Sequence, residues 1–281
     1  AGRTLTIEPG TTVFLDTDCG FRISGRLVAR GTEYRRIRFT SLPGTGVQWA
    51  GFQFSGTQQD NVIAYADLEF GGSRSEWITT GNRNPNAVGP TTRLTVENAT
   101  FRGSDTQYFS IWDPQVIVRN CVFADLGSHH LCVAERMPAD GWLILSGNLF
   151  GRTQGNTDVV QLNSVGVQGG PVAQVLDNVF AGSTGDLLAG NETDAYVEGN
   201  LFLRANLGGT GRTSSAAVAT GPGGGPASTR NLGTQHVTIV RNIFYHNDYG
   251  ILCRTGASAL VYGNTFVRNS GAILFRETAG A

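Results

Sequence analysis

The sequence predicts an all-β solenoid, a parallel β-helix of about 10 coils, and three observations carry that expectation. Helix formers are scarce: Gly occurs 39 times, Met once and Lys not at all. A motif recurs in which an alternating apolar run is followed by Asn and, two or three residues later, by Phe, as in "LTVENATF", "VIVRNCVF", "LILSGNLF", "AQVLDNVF", "AYVEGNLF", "VTIVRNIF" and "ALVYGNTF". An eighth copy, "VIAYADLEF", has Asp67 in place of Asn. The closing residues, Phe70, Phe101, Phe123, Phe150, Phe180, Phe202, Phe244 and Phe266, are separated by 31, 22, 27, 30, 22, 42 and 22 positions, so a fixed minimum carries variable insertions. Stacked coils with elastic turns produce that pattern.

Along the chain each part supplies strands. The opening "TLTIEPGTTVFLDTDCGFRISGRLVARGTEYRRIRFTSL" alternates apolar and polar residues between the breakers "EPG", "SG" and "ARGT". Between Phe244 and Phe266, "YHNDYGILCRTGASALVYGNTF" reads as turn, strand, turn and strand, with no window long enough for a helix. A leucine-rich repeat would need helical backs, and a propeller blade about twice this length. The motif residues Asn120, Asn148, Asn178, Asn200, Asn242 and Asn264 are expected to form a coil-to-coil amide ladder. Two insertions exceed a coil, 71–93 and 206–236; the second contains the strand-like "AAVAT" and the glycine-rich "GPGGGPAST". The chain 1–281 reads as one domain, and the exposed edge of its first coil raises the alternative of a fragment of a longer protein.

Charge narrows the partners. With 21 basic residues, all Arg, against 22 acidic ones the net charge is −1, which provides no basic field for nucleic acid or anionic lipid. No apolar run is long enough to span a bilayer. Cys19, Cys121, Cys132 and Cys253 show no zinc spacing. Three of them lie in apolar strand-like runs and are expected as buried thiols, with a Cys121–Cys132 bridge as the alternative.

Aligning the coils on Phe places His130, Asp158, Asp186, Gly250 and Gly271 in turn at the head of the next strand. Corresponding positions of adjacent coils lie about 4.8 Å apart, so His130, Asp158 and Asp186 should stack as neighbours. Two carboxylates at that distance couple, one holding its proton while the other stays ionised. Glycoside hydrolysis uses such a pair, about 5 Å apart for retention and about 6.5–9.5 Å for inversion. Asp158 and Asp186 are therefore the candidate catalytic carboxylates, with His130 to orient one of them; the alternative is that the two aspartates cap turns and His130 is a satisfied surface residue.

The motifs "LTIEPGTTV", "GRLVARGT" and "IRFTS" resemble the right-handed parallel β-helix superfamily of pectate-lyase-like bacterial extracellular proteins. The "NTD" at Asn156–Asp158 is similar to a motif of polygalacturonase-like hydrolases, and "GD" at Gly185–Asp186 to a shortened form of their Asp-Asp motif. Their "GHG" is absent, and only Arg254 in "GILCRTG" stands where they carry Arg-x-Lys. The resemblance implies an extracellular or cell-surface bacterial protein that recognises a polysaccharide, with Arg254 and Asn156 as substrate contacts. Trp77, in the first insertion, reads either as a ring beside a groove that can stack on sugar or as core cover; Trp112 and Trp142 read as core cover.

Two alternatives stand beside the hydrolase. A lyase would use calcium held by Asp158, Asp186 and Asp194, by the "NETD" turn with Asn191 and Glu192, or by Asp16 and Asp18; its base would be Arg254 or Arg276. A non-catalytic adhesive or spacer module would use the coils for length and rigidity. The expected assembly is a monomer or an end-to-end contact through an open coil edge.

Overall fold

The computed structural model describes residues 2–81, 91–166, 172–206, 215–221, 235–254 and 256–276. Residues 82–90 of the first insertion, and 207–214 and 222–234 of the second, lie outside it, including the "GPGGGPAST" run after Gly221. The described strands form three parallel ten-stranded sheets. The first sheet runs from Thr4–Ile7 to Ala257–Tyr262, the second from Thr12–Leu15 to Thr265–Val267, and the third from Gly20–Ile23 to Gly271–Arg276. Each turn of the chain adds one strand to each sheet and pairs with the coil before it, which makes ten coils.

Corner chemistry produces the repeat. Between the first and second sheets the backbone turns through one left-handed residue, such as Gly147 (φ 64), Asp177 (φ 53), Gly199 (φ 69) or Arg241 (φ 52). Those residue types tolerate or are held in that conformation, and the Asn of the motif follows directly. Asn148 donates through Nδ2 to Asn178 Oδ1 at 2.9 Å, Asn178 to Asn200 at 2.9 Å, Asn200 to Asn242 at 2.9 Å and Asn242 to Asn264 at 3.0 Å. Each Asn oxygen also accepts the backbone N–H of the preceding coil's residue, so buried polar groups on neighbouring coils satisfy each other.

Asn120 is a correction to that expectation. It is itself the left-handed corner residue (φ 52), and Cys121 occupies the ladder position, where its N–H donates to Asn148 Oδ1 at 3.0 Å. The motif there runs Asn-Cys-Val-Phe instead of Asn-x-Phe, which moves Asn back by one. A second, shorter ladder joins Asn247 to Asn269 at 2.9 Å.

Inside the second sheet, Phe101, Phe123, Phe150, Phe180, Phe202, Phe244 and Phe266 stack with ring centroids 4.7 to 5.2 Å apart. Phe70 does not join them. The strand Ala66–Glu69 puts Leu68 in register with Phe101, and Phe70 lies two residues on, past the strand end and 45% exposed. All four cysteines are free, Cys19 exposed and the other three buried, so the Cys121–Cys132 bridge is absent.

Candidate functional site

The predicted column lies just before the third-sheet strands Cys132–Glu135, Val160–Asn163 and Leu188–Asn191. Asp158 Oδ1 accepts the Asp186 N–H at 2.8 Å, Asp186 Oδ1 accepts the Ala216 N–H at 2.9 Å, and His130 Nδ1 lies 2.9 Å from the Asp158 carbonyl oxygen. The three residues are thus neighbours on successive coils. Of the residues expected after them, Gly271 is in register and Gly250 is not. Strand Ala216–Gly221, within the second insertion, completes a coil of its own, and its Ala216 pairs with Tyr249, which pairs with Gly271. The expected alignment skipped that coil and slipped by one at Gly250.

Arg254 comes to the same place from 68 residues away: its Nη2 donates to Asp186 Oδ2 at 3.0 Å. Asp186 is 1% exposed and Asp158 6%. Burial, and next the charge of Asp158, push the Asp186 carboxyl above the ordinary carboxylate range despite the Arg254 guanidinium. A proton is therefore held at Asp186 to higher pH than on a free aspartate, beside a second carboxyl. Asn156 is exposed on the preceding turn at φ 64, with its N–H donated to Thr184 Oγ1 at 2.8 Å.

Trp77 is not beside a groove. Strand Glu76–Thr80 turns it inward, where it is fully buried against Trp49, Phe101 and Tyr108 at centroid distances of 6.1, 5.9 and 5.2 Å. The sequence places it in a loop, whereas the third sheet continues through the start of that insertion. Trp112 and Trp142 are partly exposed, with the Arg136 guanidinium 4.9 Å over the Trp112 ring.

The calcium set does not gather. Asp194 is 2% exposed and its Oδ1 accepts the His236 N–H at 2.6 Å, on the first-sheet side of its coil. Ser164 Oγ donates to Glu192 at 3.2 Å, Thr17 N–H caps Asp16, and Ser73 Oγ donates to Asp18 at 2.8 Å. Among the described residues no three His, Cys, Asp or Glu side chains lie together as a metal site. Arg254 is tied to a buried carboxylate, and a guanidinium is unsuited to act as a base.

Sequence reasoning missed two features of the third sheet's outer face. Five residues after His130, Asp158 and Asp186 come Glu135, Asn163 and Asn191, which are in register as a second polar column. Asn191 Nδ2 donates to Asn163 Oδ1 at 3.0 Å and Gln161 Nε2 to the same oxygen at 3.2 Å. The alignment that revealed the first column contains the second, read five positions further on. At the upstream coils the face opens into a cleft of about 610 Å³ lined by Asp18, Arg22, Gln53, Arg74, Glu76 and Thr79, assembled from separate coils and so invisible as a motif.

No family model matches the chain, and no curated protein matches it in sequence. Among solved structures, the A-module of the mannuronan C-5 epimerase AlgE6 from Azotobacter vinelandii is similar at 13% identity and TM-score 0.56, over 98% of this chain and 71% of that one. The tailspike of E. coli bacteriophage HK620 is similar at 15% identity and TM-score 0.47, over 100% of this chain and 57% of that one. The PL6 alginate lyase AlyGC follows at 10% identity and TM-score 0.42, over 94% and 53%. What the chain shares at these identities is architecture: it is a right-handed parallel β-helix of ten coils.

Proposed function

We propose that the chain binds an extended polysaccharide along the outer face of the third sheet, outside the bacterial cell. Shared fold carries no substrate, so the support lies in the side chains. The observation that carries the reading is the repetition of partly exposed hydrogen-bonding groups at one-coil intervals in the column Glu135, Asn163 and Asn191. A polymer of like units offers hydroxyls at regular intervals, and a ladder with one polar group every 4.8 Å or so can meet them without rearranging. Hydrogen bonds within the column hold the amides in place, which lowers the ordering cost of binding.

Cleavage by Asp158 and Asp186 is the second reading, favoured by the proton held at Asp186 beside another carboxyl. Against it stand the 1% exposure of Asp186 and the occupation of its oxygens by Ala216 N–H and Arg254. Binding without cleavage by this pair fits the geometry better.

The test is calorimetric titration of acidic and neutral polysaccharides. A binder should lose at least about tenfold in affinity, about 1.4 kcal/mol, in an Asn163→Ala, Gln161→Ala double variant whose melting temperature is kept. No binding across the panel, or equal binding by the variant, removes the proposal and leaves the spacer role. Reducing ends released from a bound polymer and lost in Asp158→Asn would install the hydrolase, and absorbance from unsaturated products the lyase.

A further inference from the structure

A second cavity, of about 380 Å³, lies on the outer side of the second sheet beside the turn 42–48. Phe14, Leu42, Val47 and Phe70 give it apolar walls, and Arg38 and Gln48 are among its polar residues. Phe14 and Phe70 are 50% and 45% exposed, and among the described residues neither ring stacks on another aromatic ring, unlike the buried Phe column. Phe70 is held at φ 57, a left-handed conformation unfavourable for a bulky side chain. A Cβ on Gly103 would meet the Phe70 ring at 2.6 Å, so the next coil needs a glycine there to leave room for it. A ring kept at the surface by those two features suits contact with a ligand.

The polar side of the cavity is specific. Arg38 donates Nε and Nη2 to Glu69 Oε2 at 2.8 and 2.6 Å, and Arg102 pairs with the other Glu69 oxygen. Arg36 is neutralised by Asp67 at 2.9 Å. Arg36, Arg38 and Arg102 thus stand against Asp67 and Glu69, so these five described groups carry one net positive charge beside the cavity, whose wall Arg38 forms in part. Ser41 Oγ is committed to the Val47 carbonyl at 2.6 Å. Arg38 Nη1 and the Gln48 side-chain amide have no protein hydrogen bond among the described residues.

Apolar walls, one surplus positive charge and two open hydrogen-bonding groups define the occupant. We propose that this cavity binds a small carboxylate carried on a ring, the ring faces against Phe14 and Phe70 and the carboxylate on the outer edge of Arg38. A uronic acid unit and an aromatic acid share that chemistry, since both present an apolar face and one negative charge. The site lies on a different sheet from the polar columns and does not depend on what binds there.

Ligand-observed NMR and calorimetry with two probes, methyl β-glucuronoside and phenylacetate, test it. At least one probe should bind, and Phe70→Ala and Gln48→Ala, both at partly exposed positions, should each weaken it at least fivefold without changing the melting temperature. The uncharged counterparts, methyl β-glucoside and phenylacetamide, should bind at least fivefold more weakly. Glucuronoside binding alone assigns a uronate, and phenylacetate binding alone an aromatic acid. Binding of neither acid at millimolar concentration, equal binding of the uncharged forms, or indifference to both substitutions overturns the proposal.

Discussion

Asp186 and Glu69 are both buried carboxylates, 1% and 2% exposed, and they titrate in opposite directions. At Glu69 burial raises the carboxyl, but hydrogen bonds from Arg38, Arg102 and Thr40 outweigh it and the group ends below its ordinary value. At Asp186 burial and the charge of Asp158 prevail over a single Arg254. Because the folded Asp186 value lies above the unfolded 3.8, the folded chain binds the extra proton. Stability from this group is complete below 3.8 and is lost as pH rises through the folded value. Asp186→Asn stays neutral and keeps an acceptor for the Ala216 N–H. It should melt at or above the wild-type temperature near about pH 8, with the difference closing near about pH 4. A variant that melts lower at the higher pH would mean that the Arg254 pair governs instead. Of this cluster, His130, Asp158 and Asp186 were legible in the sequence because the coils align; the contact with Arg254 was not, since it crosses 68 residues and an intervening coil.

At the level of the element, the Asn motif shows how far a repeat can be read. Asn178 accepts the Asn148 N–H and Nδ2 and donates to Asn200 and to the Leu145 carbonyl, all buried. Asn178→Ala leaves the Asn148 N–H without its acceptor and should cost at least about 2 kcal/mol in chemical unfolding. Asn120→Ala, at an exposed corner outside the ladder, should cost less than about 1 kcal/mol. Equal costs would show that the ladder bonds add nothing beyond the turn. The sequence alone presents these two asparagines as equivalent. The left-handed corner consumes one residue, and whether the Asn is that residue or the one after it depends on a single position of spacing. Phe70 stands two residues after Leu68, where strand alternation alone would give both the same face, but the strand ends at Glu69 and Phe70 is a left-handed turn residue that leaves it.

For the whole molecule, one interior runs continuously beneath all ten coils, and the thiols report on it. Burial pushes the Cys121 and Cys132 thiols up to about 12, and raises Cys253 as well. Such thiols carry almost no thiolate at neutral pH and are shielded from reagent. A colorimetric thiol titration of the native protein should count one reactive group, Cys19, and four after unfolding. A native count of four would contradict the packing of the second and third sheets.

The coil and its stacking were determined by the sequence itself. A column along the coils needs a polar or apolar residue at the same place in each, so the Phe column, the Asn ladder and the head of the third-sheet strand all leave a periodic trace. The tertiary structure alone decided which residues the insertions hide. Strand Ala216–Gly221 became a coil, Trp77 turned inward, and Arg254 met Asp186. It also gathered Phe14, Arg38 and Phe70 around one cavity. Those outcomes depend on how many residues each corner consumes and which coil lies next to which, and neither quantity repeats along the chain.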